Sequence, residues 1–589
     1  MTLAPVGDPY DSRLALDATG LLRTFNEAGA IEAVDVHVAR RLTALVGETD
    51  ETVALAVAVA VRAVRGGSVC VDLRTLTGGE AEALDESPPW PEVRAWVAAI
   101  AGSRLATDPP VLRLEDHLLY LDRYWREEEQ VRSDLLGRPA TEPLDAAAQA
   151  ALEAGLARVF PAEGYDEQRA AAAIALSQRT TVLTGGPGTG KTTTVAALLA
   201  LLTEQAALAG SPTLRMALAA PTGKAAARLQ QAVQAEIARL DPGDQARLSS
   251  LQAVTLHRLL GSRPDTSARF RHHRDNRLPH DVIVVDETSM VSLTMMARLL
   301  EAVRPESRLI LVGDPDQLTS VEAGAVLADL VEGLGARSDT RIAALTTSHR
   351  FGESIRQLAA AVRAGDADRV LDLLRAGGEH VELVTDPDPV PALRDVVLPH
   401  ALRLREAAER DDRDAALRLL EEQRLLCAHR DGSRGVHHWN RLVERWISEQ
   451  TGVGIWSAWY PGRPILVTAN DYGLGLHNGD TGVVVRRGNG LRAALDATSG
   501  PVDLATSRLG EVDTMHAMTI HKSQGSQADE ITVLMPPEDS RLLTRELFYT
   551  AITRTRDKVR VVGTEAEVRA AVGRQAVRAT GLRARLAID

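Results

Sequence analysis

The sequence predicts an α/β protein built on parallel sheets, with a mostly helical region before them. From about residue 165 onward, short β-rich apolar runs alternate with Ala/Leu-rich helical runs, a pattern typical of parallel α/β folds. Each apolar run ends in polar or glycine-rich residues. These residues therefore lie at the C-terminal edge of the sheet, where open α/β folds bind ligands. A length of 589 residues allows about three to five domains at roughly 100–200 residues each.

Residues 1 to about 140 form the helical domain of this prediction. Apolar positions recur there at three- and four-residue spacing, which predicts buried helix faces. Gly66–Gly67 interrupts the pattern before Ser68–Leu73, a strand-like stretch, and a proline-containing connector starts at Arg138. We therefore place the domains at 1–140, 141–350 and 351–589.

The composition limits the classes of function. The 80 acidic and 67 basic residues give a formal charge of −13, which taken alone argues against nucleic-acid binding. Net charge averages over the whole surface, however, so it does not exclude a local basic groove that binds nucleic acid. Two cysteines, Cys70 and Cys427, exclude a disulfide framework and a multi-cysteine zinc site. The longest purely apolar run, Val53–Val61, is far shorter than the ~20 residues of a membrane-spanning helix, so we expect a cytoplasmic protein without membrane contact.

The strongest motif is a glycine-rich loop between a strand and an Ala/Leu helix. It reads GGPGTGKT from Gly185 to Thr192 and fits the P-loop pattern, in which backbone N–H groups enclose phosphates at a helix N-terminus. We expect Lys191 to reach the β- and γ-phosphates and the Thr192 hydroxyl to coordinate Mg²⁺, so ATP and Mg²⁺ are the predicted cofactors. The predicted ATP-binding residues of this loop are Gly185, Gly186, Pro187, Gly188, Thr189, Gly190, Lys191, Thr192 and Thr193.

Acidic, amide and guanidinium groups complete the predicted ATPase. Asp286 and Glu287 follow a buried strand; Asp286 is expected to hold Mg²⁺, and Glu287 to orient and deprotonate the attacking water. Gln317 leaves another strand, where its amide can contact the γ-phosphate or the water. Arg350 and Arg554 are candidate arginine fingers, which neutralise charge on the transferring phosphoryl group.

These motifs, in this order, resemble those of the RecD family of superfamily 1B DNA helicases, the α subunits of exodeoxyribonuclease V (RecBCD). The matching stretches are 185–192, 220–229, 255–260, 286–290, 313–318, 519–526 and 549–554. The resemblance implies two RecA-like P-loop domains with ATP between them and a small insertion at about 258–280. It also identifies the β-rich stretch at about 462–513 as an SH3-like insertion, and Gln168 as the residue that reads adenine.

The resemblance also implies contacts with single-stranded DNA on the surface opposite the nucleotide. The candidates are Pro221, Thr222, Thr255, His257, Thr519 and His521. Hydroxyls, imidazoles and backbone N–H groups suit sequence-independent phosphate contacts and base stacking. The basic stretch Arg258–His280 is either a further DNA contact or a solvated loop, and Arg486–Arg487 carries the same ambiguity. Trp446, Trp456 and Trp459 are expected to be core residues.

The expected function is an ATP-dependent 5′→3′ single-stranded-DNA translocase and helicase subunit of a RecBCD-type helicase–nuclease, acting in double-strand-break repair and recombination. Its predicted partners are DNA ends and RecB-like and RecC-like subunits in a heterotrimer, docked on the N-terminal domain. The 5′→3′ direction follows from the resemblance alone.

Two alternatives stay open. One is a stand-alone RecD-like helicase, although such proteins carry a larger extension before the P-loop; the other is an ATPase subunit with a structural or regulatory role. Since we find no cluster of Asp/Glu with a nearby Lys outside the ATPase, we expect nuclease activity only from the partner. Gln527 departs from the family, which usually has Glu there, so the role of this position stays open.

Overall fold

The computed structural model describes most of the chain. Its ranges are 11–78, 88–107, 109–139, 141, 146–161, 164–263, 266–339, 341–347, 352–386, 388–471, 473–497 and 500–588. Within these ranges, no helix combines the length and the apolar character needed to span a membrane.

The N-terminal domain is mostly helical and carries one small antiparallel sheet in the order β1-β3-β2. Its elements are α1 (Gly20–Glu27), α2 (Ala33–Val46), α3 (Glu51–Arg65), β1 (Cys70–Asp72), α4 (Leu73–Gly78), α5 (Val93–Gly102), β2 (Leu112–Glu115), β3 (Leu118–Leu121) and α6 (Asp122–Leu136). The Asp50 carboxylate caps α3 by accepting the Thr52 N–H at 2.8 Å. The Ala/Val run of α3 packs with Phe25 and Trp96 in one hydrophobic core.

The first α/β domain contains a six-stranded, fully parallel sheet in the order β11-β4-β10-β9-β5-β6. Its elements are α7 (Ala146–Val159), α8 (Asp166–Ser177), β4 (Thr180–Gly185), α9 (Lys191–Leu208), β5 (Met216–Ala220), α10 (Gly223–Ile237), α11 (Pro242–Leu248), β6 (Ala253–Thr255), α12 (Leu256–Leu260), β7 (Ser262–Arg263), β8 (Thr266–Phe270), β9 (Val282–Val285), α13 (Leu293–Ala302), β10 (Arg308–Gly313), α14 (Val326–Gly335) and β11 (Ile342–Leu345). Strands β7 and β8 form an antiparallel hairpin at the predicted small insertion.

The second α/β domain contains a five-stranded parallel sheet in the order β12-β21-β20-β13-β19. Its elements are α15 (Glu353–Ala364), α16 (Ala367–Ala376), β12 (Val381–Val384), α17 (Val390–Glu409), α18 (Arg413–Glu422), β13 (Gln423–Cys427), α19 (Val436–Thr451), β14 (Pro464–Val467), β15 (Thr481–Arg487), β16 (Gly490–Ala497), β17 (Gly500–Ala505), β18 (Val512–Thr514), β19 (Ala517–Thr519), β20 (Ala528–Leu534), α20 (Arg545–Ile552), β21 (Thr555–Val562), α21 (Glu565–Gly573) and α22 (Leu582–Ala587).

The β-rich insertion is a separate antiparallel sheet, β17-β16-β15-β14-β18, with its own hydrophobic core. The sequence predicts a hairpin at Asn489–Gly490, but the loop lies one residue earlier. Gly490 already pairs with Arg487, and Gly488 supplies the positive φ of +59° that the turn requires. The Arg486 and Arg487 side chains pair with Glu409 and Asp503, which supports the solvated interpretation of this arginine pair.

The C-terminal helix α22 packs against the first α/β domain, although it follows the second domain in the chain. Leu582 and Leu586 share a hydrophobic core with Leu330 of α14. Just before α22, the Ala579 carbonyl accepts the Val69 N–H of the N-terminal domain at 3.0 Å. The last residues of the chain therefore join all three domains.

The three tryptophans do not share one environment. Trp446 is buried in the core beside Trp439, and Trp459 packs against the core of the β-rich insertion with Arg463 over its ring. Trp456 is 95% exposed. The core assignment was therefore wrong for Trp456, because this residue lies in the irregular segment after α19 rather than on a helix face.

Candidate nucleotide cleft and DNA-contact edge

A cavity of about 840 Å³ lies between the two α/β domains, at the C-terminal ends of the first parallel sheet. It brings together predicted residues from α8, the P-loop, β9, β10 and the second domain. Those that line it are Gln168, Pro187, Gly188, Gly190, Lys191, Thr192, Thr193, Asp286, Glu287, Gln317 and Arg554. Gly185, Gly186 and Thr189 are buried in the loop behind this lining, and Arg350 lies outside the described residues.

The P-loop has the backbone geometry that its glycines allow. Gly188 and Gly190 adopt φ values of +82° and +87°, in the left-handed region that favours glycine. A Cβ on Gly185 would lie 2.7 Å from the Leu345 carbonyl oxygen, so this position also excludes a side chain. The loop ends at the N-terminus of α9, where Lys191 Nζ donates to the Gly186 carbonyl at 2.9 Å. An ammonium group and a helix N-terminus therefore meet in one place, which is an anion site.

The side-chain amide nitrogen of Gln168 is hydrogen-bonded, whereas its oxygen has no partner among the described residues. Its Nε2 donates to the Thr189 carbonyl at 3.0 Å, which fixes the orientation of the amide against the P-loop. Its Oε1 is buried and accepts no hydrogen bond from any described residue. A buried acceptor without a donor is costly. This atom therefore fits a ligand with an exposed N–H group, such as the amino group of adenine.

Two carboxylates, those of Asp286 and Glu287, follow β9 and line the same cavity. Asp286 Oδ1 accepts the Glu287 N–H at 2.8 Å. Burial, and next the neighbouring Glu287 charge, raise the pKa of Asp286. Glu287 adopts φ +50°, an uncommon conformation for a residue with a side chain and one that proteins concentrate at functional sites. Thr192 and Asp286 supply the hard oxygen ligands that Mg²⁺ prefers.

Gln317 connects the two α/β domains. Its Nε2 donates to Asp314 Oδ2 at 3.0 Å, and its Oε1 accepts from Arg554 Nη2 of the second domain at 2.8 Å. The Tyr549 hydroxyl, also from the second domain, donates to the same Asp314 oxygen at 3.2 Å. Asp314 and Tyr549 lie within motifs that the sequence identifies, but their hydrogen bond was not predicted because it spans 235 residues of chain.

Arg554 is a buried cation whose nearest polar partners are neutral. Only 3% of the residue is exposed. Its guanidinium donates to Gln317 Oε1 and, through Nε, to the Thr550 carbonyl at 3.1 Å. It forms no ion pair with any carboxylate in the described ranges. Burial lowers its pKa, and the charges of Glu287 and Asp314 oppose that shift. Because a desolvated guanidinium is strongly attracted to an anion, this side chain suits a phosphate in the cavity.

The three predicted DNA-contact threonines share one local geometry. The hydroxyl oxygens of Thr222, Thr255 and Thr519 accept the N–H of the residue three positions later, each at 3.2 Å. All three lie at or just beyond the C-terminal end of a strand, and β6 and β19 are edge strands of their sheets. A Cβ on Gly525, in the loop after β19, would lie 3.6 Å from the Cβ of Ala225 in α10. The start of α10, just after Thr222, therefore adjoins the loop that follows Thr519 in the second domain.

The histidines and the proline of the predicted DNA surface have less regular environments. His257 is exposed, with its ring 5.7 Å from that of Phe270. His521 is half-buried, and burial lowers its pKa, which favours a neutral ring. Pro221 is half-buried beside Thr222. In the basic stretch, Arg274 pairs with Asp134 of α6 at 2.7 Å, so this arginine serves a structural contact.

Comparison with known proteins identifies the family. The profile described as "RecBCD enzyme subunit RecD, N-terminal domain" matches residues 27–120, an AAA domain matches 168–323, and a UvrD-like helicase C-terminal domain matches 514–562. The RecBCD enzyme subunit RecD of Mycobacterium tuberculosis is 64% identical over 582 residues, covering 98% of each chain. The chain belongs to the RecD family.

Two further relatives place the chain within the RecD-like proteins. The RecBCD enzyme subunit RecD of Mycolicibacterium smegmatis is 67% identical over 567 residues, covering 96% of this chain and 99% of that one. The ATP-dependent RecD2 DNA helicase of Deinococcus radiodurans is 31% identical over 461 residues, covering 78% of this chain and 57% of that one. This member of the RecD family is an ATP-dependent DNA helicase with RecA-like α/β domains.

Composition could have identified two residues that motif reasoning did not single out. The chain has only four lysines among its 67 basic residues, and they are Lys191, Lys224, Lys522 and Lys558. Lys522 Nζ pairs with Asp513 of the β-rich insertion at 3.1 Å. Lys224 faces the same insertion, with its Cβ 3.7 Å from a Cβ placed on Gly479. Burial, and next the charge of Arg424, lower its pKa to about 7. Nearly all basic residues of this RecD chain are arginines, yet two of its four lysines, Lys224 and Lys522, lie where the α/β domains contact the β-rich insertion.

Gln527 lines the nucleotide cavity, at the position where the sequence departs from the family pattern. An amide there can donate and accept hydrogen bonds but carries no charge. Thr555 also departs from the family pattern, which has a small apolar residue after the arginine at 554; it is buried, and its hydroxyl donates to the Asp529 carbonyl at 2.8 Å. Thr555 is not among the described residues that line the cavity.

Proposed function

We propose that this chain is the 5′→3′ single-stranded-DNA motor of a RecBCD-type helicase–nuclease, with RecB-like and RecC-like partners, acting in double-strand-break repair and recombination. The observation that carries the proposal is the contact between Gln317 of the first α/β domain and Arg554 of the second. This contact places the buried guanidinium of Arg554 at the nucleotide cavity. A nucleotide bound there touches both domains, so its hydrolysis changes what holds them together.

Each ATPase residue has a role that follows from its position. Lys191 and the P-loop N–H groups bind the β- and γ-phosphates, and Gln168 Oε1 accepts from adenine. Thr192 and Asp286 would hold Mg²⁺, which would neutralise phosphate charge. Glu287 orients the attacking water and accepts its proton, while Gln317 positions that water.

The arginines link phosphate chemistry to domain movement. Arg554 stabilises charge that develops on the γ-phosphoryl oxygens, and the same role is proposed for Arg350. When Arg554 exchanges its neutral partner Gln317 for a phosphate oxygen, the second α/β domain shifts against the first. The DNA-contact threonines of the two domains then shift relative to each other along the DNA backbone. The 5′→3′ direction of net movement is taken from the resemblance to the RecD family.

The partner assignment rests on the N-terminal domain. The RecD N-terminal profile covers most of it, and full-length similarity to RecBCD subunits supports a subunit role. The stand-alone alternative is weaker because the Deinococcus RecD2 helicase is matched over little more than half its length. The structural or regulatory alternative is weaker because Lys191, Asp286, Glu287, Gln317 and Arg554 are all present around one cavity. Action on chromosomal DNA implies a cytoplasmic location.

Co-purification followed by ATPase assays tests the proposal. Tagged chain, co-expressed with RecB-like and RecC-like subunits of the same organism, should retain both and hydrolyse ATP faster with single-stranded DNA. Purified without partners, it should degrade no DNA. A fully active monomer that recruits neither subunit would favour the stand-alone alternative. ATP hydrolysis indifferent to DNA would favour the regulatory one.

A further inference from the structure

Glu167 connects the nucleotide-binding helix to the segment that leaves the first α/β domain. Its carboxylate accepts the N–H groups of Thr346 and Thr347 at 2.8 and 3.0 Å. It also accepts both threonine hydroxyls, that of Thr347 at 3.1 Å. Thr346 and Thr347 directly follow β11, the last strand of the first sheet, and the first helix of the second domain begins at Glu353. One side chain therefore fixes the first two residues of the connection between the domains.

The neighbouring residue on the same helix turn belongs to the nucleotide cavity. Gln168 lines that cavity and donates to the P-loop carbonyl of Thr189. The end of β11 also adjoins the P-loop directly, because a Cβ on Gly185 would meet the Leu345 carbonyl. The start of the connection, the P-loop and the adenine-facing amide thus form one contiguous structure, joined through residues 167 and 168.

The four donors to Glu167 are all neutral and all belong to the connection. Although burial opposes the shift, the hydrogen bonds of Thr346 and Thr347 lower the pKa of Glu167 to about 2, so the carboxylate stays ionised at neutral pH. Hydrogen bonds to an ionised acceptor are stronger than neutral ones. Four of them on two consecutive residues hold Thr346 and Thr347 against the N-terminal end of α8.

We propose that Glu167 is a positioning residue of the motor, which anchors the inter-domain connection to the adenine-binding helix so that nucleotide-driven closure is converted into movement along DNA. The inference rests on the proposed function and extends it to a residue that contacts neither nucleotide nor DNA. Without these hydrogen bonds, Thr346 and Thr347 move when the nucleotide cavity closes, so the second domain moves less. ATP is then hydrolysed without a full step along the DNA.

The test is the number of ATP molecules hydrolysed per nucleotide translocated, measured for wild type and Glu167→Ala in the assembled complex with any partner ATPase inactivated. This ratio does not depend on the fraction of active protein, so misfolding alone leaves it unchanged. We expect Glu167→Ala to raise the ratio at least threefold, with KM for ATP within twofold of wild type because Gln168 and the P-loop are intact. Thr346→Val/Thr347→Val removes two of the four donors and should raise the ratio by a smaller factor.

Asp166→Ala is the matched control, because Asp166 precedes Glu167, its side chain is 85% exposed, and within the described ranges its carboxylate pairs with Arg169 alone, at 3.1 Å. It should leave the ratio unchanged, and Glu167→Asp should restore part of the coupling. A Glu167→Ala ratio equal to wild type, or a KM change as large as the ratio change, would overturn the inference while leaving the motor assignment intact. A wild-type complex that hydrolyses ATP without translocating would overturn the proposed function itself.

Discussion

Replacing Arg554 by alanine should nearly abolish ATP hydrolysis while leaving the protein folded. The side chain is almost fully buried and reaches the cavity from the second α/β domain, and its hydrogen-bond partners within the described part of the chain are Gln317 and the Thr550 carbonyl. Arginines in this role contribute about 10³- to 10⁵-fold to kcat, which corresponds to about 4–7 kcal/mol of activation free energy at 1.36 kcal/mol per factor of ten.

The effect of Arg554→Ala on stability should be smaller than its effect on catalysis. Two hydrogen bonds from a charged donor contribute about 1.5–3 kcal/mol each, and removal of a desolvated cation without a carboxylate partner offsets much of that loss. The free energy of unfolding should therefore change by no more than about 2 kcal/mol.

Arg556→Ala is the matched control for this prediction. Arg556 lies two residues further on and pairs with Glu421 and Asp529 at 3.0 and 3.1 Å, with 42% of its side chain exposed. Exposed pairs of this kind contribute about 0–1 kcal/mol. The assay is phosphate release at saturating ATP and single-stranded DNA. A folded Arg554→Ala variant with kcat within tenfold of wild type, or an equal loss in Arg556→Ala, would refute the reasoning.

Two further predictions concern the P-loop and the buried carboxylates. Gly190→Ala should weaken binding of a fluorescent ATP analogue, because its Cβ would lie 3.1 Å from Gln168 Nε2; Gly210→Ala, also at positive φ but with nothing within 4 Å, should leave that affinity unchanged. Burial raises the pKa of Asp329 to about 7. The protonated carboxyl group therefore stabilises the fold fully below the ordinary Asp pKa of about 4, and this stabilisation is lost as the pH rises through 7. Asp329→Asn should therefore raise the free energy of unfolding at pH 8, by on the order of 2 kcal/mol relative to wild type, and by less at pH 5. An equal difference at both pH values in urea unfolding would contradict this assignment.

The position of the nucleotide site could be predicted because motif residues follow parallel strands. Lys191, Asp286 and Gln317 come after β4, β9 and β10, and the C-terminal ends of parallel strands meet at one edge of a sheet. Strand alternation and local spacing are enough for that inference. The small hairpin and the β-rich insertion follow from the same local patterns together with the family resemblance.

Contacts between distant segments could not be predicted in this way. The Gln317–Arg554 and Glu167–Thr346 contacts span 237 and 179 residues, and they depend on sheet order and domain orientation. The packing of α22 against α14 likewise depends on where the chain returns after α21. Local apolar periodicity shows that a helix has a buried face, but it does not name the partner of that face.

The central claim is that ATP hydrolysis in this cavity drives 5′→3′ movement on DNA, and Lys191→Gln in the assembled complex tests it most directly. Because Lys191 Nζ lies over the P-loop at the N-terminus of α9, its loss removes the charge that binds the β- and γ-phosphates. Unwinding is measured on substrates with a 5′ or a 3′ single-stranded tail. We predict that Lys191→Gln abolishes unwinding from the 5′ tail and leaves subunit assembly intact. Unwinding from the 5′ tail at the wild-type rate would contradict the account.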